Sequence, residues 1–348
     1  MKEADASETI RSLRAIISGI DKTILSLLAV RMSLSKHIGY AKSSTGLPVY
    51  DPAREVEVLS IVQDEARRLG VPVELALAVY KVILDYSRCS QVVCPEKYRI
   101  VVYGYGRMAK TLAKHFLRGG CWVAITGRSV EKARSAAREV GAEALDEDEA
   151  LDWADIMLYA IPSDAVPTVL ESHLERVRES VLLADIASVK KPIVERVKGM
   201  LREGQEYVSL HPLFGPLECP AGETIAVVPV RLESWKERLE RLLEGLGFRY
   251  EYVDADTHDR IMAANQVLHH AALDAFKRAW IKTIEELGVR KGMAKLLATH
   301  SLRHTLELLD RLERLWSVVE EIRRTNPNSR IALEKLEDAV RSIMLEVE

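Results

Sequence analysis

Two sets of residues with the types and spacing for chemistry stand one after the other along the 348 residues. The front set is Arg14, Arg31, Lys42, Asp51, Arg54, Glu55, Ser87 and Gln91. Cations interleaved with a few hydrogen-bonding groups suit a cage for a small dianion. The back set opens with Gly104-Tyr105-Gly106-Arg107-Met108-Ala109. There the glycines let backbone approach a pyrophosphate, and the helix that follows supplies N–H donors. Such a loop by itself specifies only a dinucleotide. The order, a dianion cage and then a nucleotide loop, narrows the function more than either set alone.

Helix geometry constrains the front set. At about 1.5 Å per residue, Arg14 and Arg31 lie ~25 Å apart and Arg14 and Lys42 ~42 Å apart. Arg31 and Lys42 fall on nearly the same face, so one small anion can meet both but not Arg14 of the same helix. Arg14 therefore joins the site only from a second chain running antiparallel. Asp51, Arg54 and Glu55 share a face of a second helix, and Ser87 and Gln91 share a face of a third by their i,i+4 spacing. In the back set, the second strand ends in Thr126-Gly127-Arg128-Ser129. No carboxylate stands there to hold a ribose 2′-hydroxyl, whereas Arg128 and Ser129 suit a 2′-phosphate. NADP is thus the expected cofactor, with NAD as the alternative.

The elements that must position these groups follow from periodicity. Ile10, Leu13, Ile17, Ile20, Ile24, Leu27, Leu28 and Leu34 recur at helical spacing without a proline, which predicts one long helix over 6–43. Asp51-Pro52 is an N-cap followed by a proline at the first helical position, opening a helix to about Leu69. A third helix runs from the Gly70-Val71-Pro72 turn to about Gln91. Three helices without a strand make a poor globule at this size, so association is expected. Short apolar strands at 99–103, 121–126, 155–160, 181–185, 207–210 and 225–229 then alternate with helices, the rhythm of a mostly parallel sheet. Beyond Tyr252 the strands stop, and one helix is expected over 256–287, closed by Gly288. DIASVK (185–190) and LHPLFGP (210–216) each end a strand, where open α/β sheets bind ligands.

Composition excludes several classes. A net charge of −3 without a basic run argues against nucleic acid and against an electrostatic membrane anchor. No apolar run approaches the ~20 residues needed to span a bilayer, and MKEADASET has no signal core. Cys89, Cys94, Cys121 and Cys219 form neither a CxxC pair nor a zinc spacing. They read as reduced thiols in a reducing compartment, so the protein is expected to be cytoplasmic and to hold no metal.

Over 7–91, the segments LRAIISGIDKTILSLLAVR, YAK, VYDPARE and SRCSQ resemble the all-helical class of chorismate mutase without gaps. The resemblance places that family's active-site residues on all eight members of the front set, with Arg14 crossing from a partner subunit. It implies that Arg14, Arg31 and Arg54 bind the two substrate carboxylates. Lys42 and Gln91 would donate to the ether oxygen, and Glu55 would accept from the substrate hydroxyl. Over roughly 98–312 the chain resembles prephenate dehydrogenase, through GYGRMA, DIASVK, LHPLFGP, THDRIMAANQVLHH and HSLRHTLELLDRL. That resemblance implies that His211 takes the proton of the ring hydroxyl. Ser188 would hydrogen-bond the histidine or the substrate, and Arg303 would clamp a carboxylate. Arg311, Gln266 and His270 fall on further family positions, whereas His258, His269 and His304 read as helix-surface or capping residues. Pro216-Leu217-Glu218 departs from the family pattern after the HP..G turn.

Together these imply a multidomain protein. An all-α three-helix mutase domain (1–93) precedes an α/β Rossmann domain (98–253) and an all-α C-terminal dimerisation and substrate domain (254–348). The expected activity takes chorismate to prephenate and prephenate to 4-hydroxyphenylpyruvate, on the tyrosine route, as a homodimer. The rivals are the same architecture acting on arogenate, and a regulatory protein with a dead dehydrogenase half. With no room after residue 348 for a regulatory domain, tyrosine, if it inhibits, is expected to act at the active site.

Overall fold

The computed structural model describes residues 2–346, with side-chain burial from residue 6. The front unit is α1 (Lys2–Thr45), α2 (Pro52–Leu69) and α3 (Val73–Gln91). α1 ends where Gly46 adopts φ +69, a left-handed conformation that strains any other residue. Asp51 caps α2 by accepting from the Arg54 backbone N–H at 3.0 Å, which leaves one fewer orphan donor in the first turn. The second half of α1 packs on α3, and Gly39 is what permits it: a Cβ there would collide with the Gln91 backbone. The first half is left largely uncovered among the described residues. Ile10, Leu13, Ile17, Ile20, Ile24, Leu27 and Leu34 are half or more exposed.

An eight-stranded sheet follows, in the order β3-β2-β1-β4-β5-β6-β7-β8. Its first half consists of β1 (Arg99–Tyr103), α4 (Arg107–Gly119), β2 (Trp122–Thr126), α5 (Val130–Val140), β3 (Glu143–Ala144), α6 (Glu147–Trp153) and β4 (Ile156–Tyr159). The second half adds α7 (Val166–Leu174), β5 (Leu182–Asp185), α8 (Lys191–Lys198), β6 (Glu206–Pro212), β7 (Thr224–Arg231), α9 (Lys236–Gly245) and β8 (Arg249–Tyr252). Among the described residues, only β6 and β7 pair antiparallel. Continuous apolar strands such as Ile100–Tyr103 and Ile156–Tyr159 are buried on both faces, as helices on both sides of a parallel sheet require. β3 and β8 were not apparent from the sequence: one has two residues, and the other, Arg-Tyr-Glu-Tyr, is an edge strand with little burial. The strand order reverses between β1 and β4. Ligands bind at the carboxyl ends of strands at such a switch point.

The C-terminal unit begins with α10 (Ala255–Met262) and α11 (His269–Glu286), joined without interruption by a π-helical turn at Ala263–Leu268. The long helix expected from the sequence thus has a widened turn near its start. α12 (Lys291–Leu296), α13 (His300–Glu313), α14 (Trp316–Thr325) and α15 (Ser329–Leu345) complete it. Val189, after β5, packs with Ala263, Val267, Ile322 and Ala332, so the widened turn sits against the end of the sheet. No helix among the described residues is long and apolar enough to cross a membrane.

The cysteines correct the sequence reading. Cys89 is bonded to Cys219 and Cys94 to Cys121, with Cα–Cα distances of 5.8 and 5.6 Å. Partners 130 and 27 residues apart share no local motif, so spacing along the chain could not reveal them. Both bridges tie the end of α3 or the segment after it to the sheet unit. Nearby, the Val93 N–H donates to the Gly245 carbonyl and the Cys94 N–H to that of Gly119.

Candidate active sites

Within one chain the predicted front residues form two groupings, Arg31 with Ser87 and Lys42 with Asp51 and Glu55. The Arg31 guanidinium donates to the Ser87 hydroxyl, joining α1 to α3. Lys42 Nζ donates to the Val49 carbonyl at 3.0 Å. Burial lowers the Lys42 pKa, against the pull of the Asp51 and Glu55 carboxylates. Glu55 accepts from Arg88 at 2.5 Å, a residue the sequence reading passed over. Gln91 has a buried side-chain oxygen, Oε1, with no partner, the state of a group awaiting a ligand. Two members stand apart. Arg54 points outward and pairs with Glu57 at 2.7 Å. Arg14 is exposed on the free half of α1, remote from Arg31 and Lys42 on the same helix.

In the sheet unit, the fit of a dinucleotide can be tested on the loop after β1. Gly104 adopts φ +137, and a Cβ there would strike the Ala160 carbonyl, so only glycine lets β1 turn beside β4. Gly106 precedes α4 and has open space where a Cβ would stand. No side chain caps α4, so its first N–H groups are free for a phosphate. Gly127, with φ +152, has the Tyr105 ring 3.3 Å from a would-be Cβ. Ser129 caps α5, and the Lys132 ammonium lies 5.8 Å from the Tyr105 ring centre. Arg128, Ser129 and Lys132 thus gather at the end of β2, where the sequence offers no acid. These residues fit a nicotinamide dinucleotide.

A cavity of about 870 Å³ runs from this loop to the C-terminal helices. Arg107, Met108 and Ala109 line one side, and Ser188 and Pro216 line the sheet edge. Arg314, Arg323 and Arg324 approach from the C-terminal unit. Arg303 and Arg311 do not line it and are exposed on α13. Glu321 closes one wall by accepting from the Ser163 backbone N–H at 2.9 Å. Gln266 Oε1 and His270 Nδ1, on and just after the π turn, are buried without partners. π turns inside helices are frequently found at functional sites.

His211, on β6, is buried, and its partner is not Ser188. Its Nδ1 lies 2.9 Å from His258 Nε2, and His258 Nδ1 lies 2.8 Å from Asp259 Oδ1. The Asp259 carboxylate also accepts backbone N–H groups of Lys190 and Lys191, both at 2.9 Å. A carboxylate fixes the proton of His258 on Nδ1. With both rings neutral, His258 Nε2 then accepts from His211 Nδ1–H, and His211 Nε2 keeps the free lone pair. Burial pushes the His211 pKa well below its ordinary value, with the Lys190 charge acting in the same direction. Lys190 is itself buried, donating to the Ser209 hydroxyl at 2.9 Å and the Leu210 carbonyl at 2.7 Å. His258, expected at a helix surface or cap, is instead buried between His211 and Asp259, because its partner lies 47 residues earlier on a strand and helical spacing could not show it.

Comparison with known proteins finds matches in both the front and the sheet units. Residues 13–92 match the family Chorismate mutase type II, and 112–224 match Prephenate dehydrogenase, nucleotide-binding domain. The T-protein of Enterobacter agglomerans is 29% identical over 85% of this chain and 76% of its own length. That of Haemophilus influenzae is 28% identical over 76% of this chain and 68% of its own. Among solved structures, prephenate dehydrogenase from A. aeolicus in complex with hydroxyphenyl propionate and NAD+ superposes with a TM-score of 0.57 at 18% identity. It covers 72% of this chain and 91% of that one, a likeness of fold. The chain thus carries a type II chorismate mutase domain followed by a prephenate dehydrogenase nucleotide-binding domain, the arrangement of a bifunctional enzyme, and its relatives align across both.

Proposed function

We propose that the two reactions run at the two sites just described, with the residue roles that follow. The mutase step is pericyclic and needs no nucleophile, so its site has only to hold the reactive conformer and meet charge building on the ether oxygen. Arg31 and Lys42 of one chain, with Arg14 of a second, surround the dianion, and Lys42 and Gln91 donate to the ether oxygen. Arg54 binds a carboxylate after leaving Glu57, and Glu55 accepts from the substrate hydroxyl.

In the dehydrogenase half, the bound nicotinamide supplies a hydride acceptor for the ring carbon. Gly104, Gly106 and the N-terminus of α4 hold the pyrophosphate, while Arg107, Met108 and Ala109 shape the cavity beside it. His211 Nε2 takes the proton of the ring hydroxyl. His258 and Asp259 hold its other nitrogen protonated and so keep this one basic. Loss of the ring carboxylate as carbon dioxide restores aromaticity and makes the step irreversible. Ser188, at the cavity wall, contacts the substrate. Arg303 would have to reach the cavity by movement or from another copy, whereas Arg314 is already there.

The observation that carries the dehydrogenase reading is the His211–His258–Asp259 chain, a buried base with a fixed tautomer at the end of a sheet strand. The supporting assay incubates the protein with chorismate and either cofactor and identifies the product. Arg128, Ser129 and Lys132 support NADP, and a loss of charged hydrogen bonds worth ~1.5–3 kcal/mol should cost NAD about ten- to a hundredfold in kcat/KM. Equal use of the two would refute the role given to Arg128. Release of 4-hydroxyphenylpyruvate from chorismate is the expected result. Turnover of arogenate in preference to prephenate would favour the aminated alternative.

A further inference from the structure

The reading of Glu55 as acceptor for the substrate hydroxyl leaves open what holds that carboxylate in place. Arg88, one turn before the end of α3, is fixed from four directions. Its Nη1 donates to Glu55 Oε1 at 2.5 Å, and its Nη2 pairs with Asp85 of its own helix. Its Nε donates to the Ala221 carbonyl at 3.1 Å, across the boundary to the sheet unit. The guanidinium also lies 5.8 Å from the Tyr50 ring centre. Both partners of the ion pair are largely shielded, with side-chain exposures of 15% and 23%.

The segment that supplies the Ala221 carbonyl, residues 213–223, is itself rigidly held. The Cys89–Cys219 bridge joins it to the residue after Arg88. The Gly222 N–H donates to the Gly247 carbonyl at 2.7 Å. Gly222 has φ +94, and a Cβ there would lie 2.7 Å from Arg88 Nε, so glycine is what lets the loop meet the guanidinium. The same segment follows β6, which carries His211.

We infer that Arg88 is a positioning residue of the mutase site, orienting Glu55 while anchored to a loop of the dehydrogenase half. Two consequences follow from the geometry. Arg88 occupies Oε1 of Glu55, which leaves Oε2 to accept from the substrate hydroxyl. Its charge also offsets Glu55 and Asp85 beside a site that must receive a dianion. Without Arg88, a carboxylate free to rotate would face that dianion unpaired. The inference rests on the role given above to Glu55.

The test compares Arg88→Gln, Glu55→Gln and the double variant in the full chain, with folding checked by circular dichroism. Arg88→Gln should lower mutase kcat/KM about ten- to a hundredfold, the scale of a charge-assisted hydrogen bond, and change dehydrogenase kcat/KM less than about twofold. The double variant should be no worse than Glu55→Gln alone, because Arg88 acts through Glu55. Arg88→Lys should recover part of the loss, since it restores the charge but not the fork. Gly222→Ala, outside the mutase domain, should also lower mutase activity by displacing the guanidinium. Losses that multiply in the double variant would overturn the inference, as would a normal mutase rate in Arg88→Gln beside an impaired Glu55→Gln. A normal rate in Glu55→Gln itself would remove the role of Glu55 and this inference with it. Normal mutase activity in Gly222→Ala would overturn the anchorage to the dehydrogenase half.

Discussion

In the sheet unit, His211, His258 and Asp259 are buried and hydrogen-bonded to one another within a single chain. In the helical front unit, Arg14 stands exposed on a half-helix whose apolar residues are half or more exposed. The physical reason lies in the two architectures. A parallel sheet covered on both faces gathers residues distant in sequence at its strand ends and removes them from water. A three-helix hairpin of this length has too little interior, and α1 extends well beyond the two helices that could cover it. On the proposed reading, the dehydrogenase base is preorganised within one chain, while the mutase cage would be completed by association.

The largest effect should come from breaking the preorganised side. His211→Asn keeps a similar shape but removes the base, so dehydrogenase kcat should fall by roughly 10²–10⁴. Mutase activity should remain near wild type. In the unmodified protein, burial and the neighbouring Lys190 charge hold His211 neutral. The acid limb of dehydrogenase kcat/KM should accordingly lie below the ordinary histidine value of about 6.5. A His211 variant that turns over normally would remove the base assignment, and one that stays folded yet loses both activities would mean the sites are coupled more widely than through Arg88.

Next in size is reduction of the two bridges, which tie the end of the front unit to the sheet. Closing loops of 27 and 130 residues is worth about 3–5 kcal/mol each in the chain-entropy account. Thermal inactivation in the presence of dithiothreitol should show the mutase midpoint falling further than the dehydrogenase midpoint. Equal shifts, or none, would show that the interdomain contacts hold the front unit without them.

The smallest and most diagnostic effect concerns the unfinished side. Mixing Arg14→Ala with Lys42→Ala under subunit exchange should give heterodimers with one wild-type mutase site of two, since an isologous pair exchanges both contacts. Neither variant alone should show that activity. Confirmed exchange without recovery would place Arg14 outside the site and make the mutase half, like the other, complete in one chain.

Local signals were sufficient for much of the fold. The unbroken apolar spacing of α1, the Asp51-Pro52 start of α2, the five residues of β1 and the GYGRMA turn each act through neighbours in sequence. Steric preference and capping chemistry therefore made them legible. β8 was not, because Arg249–Tyr252 carries no apolar alternation and is a strand only by pairing with β7. For the same reason the π turn at 263–268 was hidden inside a helical pattern. Residue types at the right spacing likewise suggested the dianion cage and the nucleotide loop. Contacts between distant segments were decided only by tertiary structure. His258 became the partner of His211, Arg88 the partner of Glu55 and Ala221, and four apparently unpaired cysteines two bridges. In each case the burial and distance that define the chemistry arise when the strands, helices and loops are brought together, and no local preference along the chain encodes which of them will meet.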